Sequence, residues 1–97
     1  MLTTERLVHP GGYHTPWHSH HAGQLWRIAA GLLVIETPLG RSVVPAKHIG
    51  WIPPGQQHAA FSESAIEGCA VYLDPAHCEG LPEEATIFRS EEHTSEL

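Results

Sequence analysis

The sequence predicts an all-β fold, a barrel or sandwich of short strands, and three observations carry that reading. Short apolar runs recur along the chain, each closed by a Gly, Pro or Asp-Pro turn signal. No segment holds an apolar period of 3.6 long enough for a substantial helix. The histidines of His18-x-His20 are spaced for one face of an extended strand, since strand side chains repeat every second residue.

Taken in order, Leu25–Ala30 and Leu32–Thr37 read as strands flanking Gly31. Thr37-Pro38-Leu39-Gly40 places Pro and Gly where a type I turn wants them, and Arg41–Val44 returns as the second arm of the hairpin. His48–Ile52 forms a further strand, stopped by Pro53 and Pro54, which lack amide donors for a ladder. Pro54-Gly55 supplies a fixed φ and then a positive one, as a type II turn requires. His58–Phe61 and Ala65–Leu73 follow as strands, and Asp74-Pro75 breaks the pattern. Leu81-Pro82-Glu83-Glu84 opens a short helix or loop, and Ala85–Phe88 is one more brief strand.

The chemistry concentrates in two blocks, Gly12-x5-His18-x-His20-x3-Gln24-x6-Gly31 and Pro53-x-Gly55-x2-His58. The turn before His58 gives a third imidazole a route back to the first pair. Three imidazoles and one amide oxygen suit a first-row divalent metal such as zinc, nickel or iron. The same residues also suit a shared interior pocket without metal, or a polar strand edge. Gln24 is a neutral and weaker oxygen donor than a carboxylate, and it can equally hydrogen-bond a bound molecule or the histidines. Trp26 and Trp51 are candidates for stacking on a bound sugar or aromatic molecule, with core packing as the plainer role. His14 is an outside candidate, His21 points to the opposite strand face from His20, and His9, His48 and His77 have no partners in register.

The two blocks resemble the paired signature motifs of the cupins. Gly12, His18, His20 and Gly31 fall in register with the first motif, and Gln24 stands where that family usually has Glu. Pro53, Gly55 and His58 match the second motif, whose leading Gly would fall at Lys47. The stretch HSHHAGQLWRIAAGLLVIETPLGRSVVPAKHIGWIPPGQQHAAF is further similar to the N-terminal sensor domain of AraC-type transcriptional regulators. That resemblance spans Thr15 to Leu81 and is most specific over Trp51 to His58. It implies a cupin double-stranded β-helix, a jelly-roll-like barrel that binds a small-molecule effector at His18, His20, Gln24 and His58, with Trp26 and Trp51 lining the pocket. It also implies a cytoplasmic, homodimeric regulator, whose DNA-binding helix-turn-helix units lie in a C-terminal domain beyond this chain. A stand-alone metal-dependent cupin enzyme, a dioxygenase or isomerase, is the alternative from another class.

The 97 residues bound the chain to one domain. Residues 1–88 are read as the sensor domain. Residues 89–97 (RSEEHTSEL) read like the translation of a sequencing-adapter oligonucleotide and are expected to be disordered. The net charge of -6 stays acidic without that tail, and Arg6, Arg27, Arg41 and Lys47 are scattered along the sequence. No dense basic patch for phosphate contacts is read, so DNA binding by this segment is not expected. Cys69 and Cys78 are read as a small buried residue and a loop thiol, unbridged. No apolar run approaches the roughly 20 residues of a membrane span, and Met1–Pro10 lacks the apolar core of a leader. Nucleophile elbows, phosphate loops and dinucleotide fingerprints are all absent, so no catalytic residue is assigned.

Overall fold

The computed structural model describes residues 2–89. Nine strands form two antiparallel sheets: β1 (Leu2–His9), β2 (Tyr13–His14), β3 (Gly23–Ala30), β4 (Leu32–Thr37), β5 (Gly40–Pro45), β6 (His48–Ile52), β7 (Ala59–Ser62), β8 (Ile66–Leu73) and β9 (Thr86–Arg89). The larger sheet runs in the order β1-β8-β3-β6-β9 and the smaller β2-β7-β4-β5. One turn of 3-10 helix, Pro75–His77, follows β8. The architecture is all-β, two antiparallel sheets enclosing one core, as expected from the sequence.

Alternation builds the core. Along β3, Gln24, Trp26 and Ile28 are buried while Arg27 between them is exposed; along β4, Leu33 and Ile35 are buried. These side chains meet Leu7, Val44, Ile52, Ala60, Ile66 and Ala70 between the sheets, with Tyr13, Tyr72 and Ile87 packed against them. Complete removal of such residues from water supplies the main drive to fold, about 1.5–3 kcal/mol for each large aliphatic side chain.

Four features depart from the sequence reading. First, β1 and β2 add to the expected strands. Only Leu7 of β1 is buried among residues 3–9, so the strand carries almost no hydrophobic signal and owes its state to pairing with β8. Secondly, His18 and His20 lie outside regular strands: His18 forms an isolated bridge to His58, and β7 begins one residue later, at Ala59. Pro16 removes a ladder donor there, and the chain is instead pinned at single points. Thr15 N–H donates to Ala60 O at 2.8 Å, and His18 and His58 exchange amide bonds of 2.9 Å. Thirdly, Arg6 and Arg27, distant in sequence, are cross-strand neighbours of Cys69 on either side. Fourthly, Arg89, assigned to the tail by sequence, pairs with His48 as the last residue of β9. The remainder of that tail, residues 90–97, lies outside the described residues. Cys69 and Cys78 are both free, as expected.

Lys47 shows what the missing motif glycine does. It has φ +69°, the only non-glycine residue with positive φ among those described. The β5–β6 turn therefore keeps the left-handed geometry that a glycine adopts without a Cβ penalty.

Candidate metal and effector site

The turn after β6 and the irregular stretch before β3 bring the three histidines together. Gly55 N–H donates to His20 O at 2.9 Å, which ties the Pro54-Gly55 turn to the first block. His58 is 1% exposed and His18 and His20 are half-buried. Ring centroids are 4.4 Å apart for His18–His58, 4.9 Å for His20–His58 and 5.5 Å for His18–His20. One ligating nitrogen from each ring lies within 4.8 Å of the others.

The orientation of each ring is fixed locally. His18 Nδ1 lies 2.7 Å from Pro16 O, His20 Nδ1 2.8 Å from Ala22 O, and His58 Nδ1 2.8 Å from Gln56 O. A carbonyl only accepts, so each Nδ1 carries the proton and donates. The neutral rings then present Nε2 lone pairs, as metal-binding imidazoles do when a second partner sets their tautomer. Burial holds the His58 imidazole below its ordinary pKa. The bond to Gln56 opposes this shift, and the neighbouring His18 and His20 add to it.

Gln24 completes the cluster from β3. It is 2% exposed, with Oε1 3.2 Å from His20 Nε2 and Nε2 donating to the Tyr72 hydroxyl at 3.0 Å. Zinc takes nitrogen ligands at about 2.0–2.1 Å and also accepts oxygen donors, so the donor set fits a divalent ion.

The remaining candidates separate. Trp26 is 4% exposed, on the same face of β3 as Gln24, with Tyr13 at 6.5 Å in edge contact. Its Nε1 is the one buried side-chain polar atom without a hydrogen-bond partner among the described residues. Trp51 departs from the pocket expectation. It pairs with Leu25, whereas Gln24 pairs with Ile52, so Trp51 occupies the opposite face of the sheet. There its Nε1 donates to Pro82 O at 2.7 Å and its ring covers Gly23, a structural role behind the site. His14 and His21 are exposed and outside the cluster. Sequence reasoning missed Tyr72 and Glu5. Neither belongs to a motif, and only the β1–β8–β3 register brings them toward Gln24.

The family model of the AraC-like ligand binding domain matches residues 7–97. The chain belongs to this family. No curated protein sequence matches it. Among solved structures, it is similar to a cupin-2 domain protein from Shewanella frigidimarina, with 17% identity and TM-score 0.65 over 72% of this chain and 68% of that one. A cupin superfamily protein from Desulfitobacterium hafniense gives 13% identity and TM-score 0.65, covering 76% and 78% respectively. Bacillus subtilis oxalate decarboxylase gives 17% identity and TM-score 0.63, with 99% of this chain aligned to 25% of that one. Identities this low establish the shared fold. No helix among the described residues is long and apolar enough to cross a membrane.

Proposed function

We propose that this domain is the effector-binding sensor of an AraC-type transcriptional regulator, a cytoplasmic homodimer that reads DNA through a separate domain. The observation that carries the proposal is the convergence of one ligating nitrogen each from His18, His20 and His58, within 4.8 Å of one another, with Gln24 beside His20. A divalent ion (zinc, nickel or iron) held there would present an electrophilic centre to an oxygen-bearing effector. Trp26 supports a pocket deeper in the barrel. A buried N–H without an acceptor is costly, and an effector oxygen would satisfy it. Effector binding would bias the dimer between two arrangements, by its difference in affinity for the two.

The second reading, a metal-dependent cupin enzyme, draws on the same histidines. Thermal-shift screening of small molecules with zinc present separates the two. The sensor reading expects a compound that raises the melting temperature of the wild type but not of His58→Ala, and that is recovered chemically unchanged. Turnover of that compound, seen as product by mass spectrometry, would establish the enzyme instead.

A further inference from the structure

Between Gln24 and the edge strand β1 lie two polar side chains, Tyr72 and Glu5, that belong to neither motif. Gln24 Nε2 donates to the Tyr72 hydroxyl at 3.0 Å, and that hydroxyl faces Glu5 Oε1 at 3.5 Å. The sheet register produces the line. Gln24 and Tyr72 are directly paired on β3 and β8, and Glu5 pairs with Ala70, two residues from Tyr72 on the same face.

The two ends of a glutamine amide are nearly identical in shape, so the partners decide which end faces the histidines. A carboxylate only accepts, so the single Tyr72 O–H is spent on Glu5. The hydroxyl can then offer Gln24 only a lone pair, which must receive the amide N–H. The carbonyl is left turned toward His20 Nε2, 3.2 Å away. That nitrogen also carries a lone pair, because Nδ1 of the same ring donates to Ala22 O. A divalent cation beside the ring would satisfy both of these acceptors.

We infer that Glu5, acting through Tyr72, holds the Gln24 amide with its carbonyl oxygen turned to His20 Nε2 in the three-histidine cluster, making Gln24 an oriented neutral oxygen donor for a divalent cation. Glu5 and Tyr72 are positioning residues. A carboxylate at position 24 would present an acceptor in either orientation and need no such holder, so the relay compensates for an amide at this position. The cation part rests on the metal reading above, while the amide orientation does not.

Two measurements test the inference. In metal-free, 15N-labelled protein, the Gln24 side-chain amide protons should show nuclear Overhauser contacts to the Tyr72 ring and none to the His20 ring. Contacts to His20 instead would overturn the orientation. Cobalt(II) titration then tests the consequence. Tyr72→Phe and Glu5→Gln should each weaken cobalt binding about 10-fold, the usual scale for an outer-sphere partner, with thermal midpoints confirming folded protein. The same two substitutions placed on Gln24→Glu should cost nothing. An equal loss in both backgrounds would show that Tyr72 acts through the fold at large, and would overturn the positioning role. Failure of the wild type to bind cobalt would sink the metal reading and the donor role, leaving the orientation to the first measurement.

Discussion

Gly12 and Gly31 bracket the first histidine block and look equivalent in sequence, yet replacing each by alanine should have unequal effects. Both have a left-handed backbone, φ +76° at Gly12 and +86° at Gly31. An L-residue in that region costs about 1–2 kcal/mol. A Cβ on Gly12 would meet nothing within 4 Å, so Gly12→Ala should lose only that amount. A Cβ on Gly31 would run into the Ala65 carbonyl oxygen and lie 3.0 Å from Ile66 Cα. Both obstacles are backbone at the start of β8, which cannot swing aside as a side chain would. Overpacking typically adds about 1–3 kcal/mol, which brings Gly31→Ala to about 2–5 kcal/mol. Against a total stability of about 5–15 kcal/mol for a domain, Gly12→Ala should fold normally and Gly31→Ala should have little margin. Urea denaturation followed by tryptophan fluorescence measures both, with an unchanged slope confirming that only stability moved. Equal losses at the two sites would refute the claim that close approach to β8, rather than turn geometry alone, requires Gly31.

Lys47→Gly should stabilise the protein by up to about 1 kcal/mol, the left-handed strain outweighing the added freedom of the unfolded chain; a lower denaturation midpoint would contradict this. Zinc at 100 times its dissociation constant should add about 2.7 kcal/mol to stability, read as a higher melting temperature that His18→Ala or His58→Ala abolishes. Because burial lowers the His58 pKa, the unfolded chain takes up a proton on this residue before the folded protein does. Its contribution is therefore present above the ordinary histidine value of about 6.5 and falls as the pH drops through it. Urea midpoints across that range should decline less steeply in His58→Gln. Arg6 and Arg27 flank Cys69 from the two neighbouring strands, but Arg6 also lies 3.7 Å from Glu67. A labelled duplex titrated at low salt should consequently show no saturable complex with this domain.

Where glycine and proline punctuate the chain, the fold was legible. The β4–β5 hairpin, β6 with its Pro53-Pro54 stop and the long β8 lie within a residue or two of their expected bounds. β1 was hidden because LTTERLVH buries only Leu7 among residues 3–9, and pairing with a strand far along the chain carries no local signature. The same physics governs the site. His18, His20, Gln24 and His58 announce themselves by spacing, as the loop and turn geometry acts over a few residues. Tyr72 and Glu5 reach Gln24 only through three-strand register, and Trp51 changes role because a one-residue offset turns a side chain to the opposite face.

The carbonyls that hold the three imidazoles all belong to residues two positions away in sequence. Each ring is thus steadied by its own short loop rather than by the other rings or by an occupant. The cradle does not need its contents to keep its shape, so filling and emptying it need not entail folding and unfolding. Binding free energy that is not spent on assembling the receptor remains available to displace some other equilibrium. For a sensor, the role proposed above, the empty cradle would have to be as durable as the filled one.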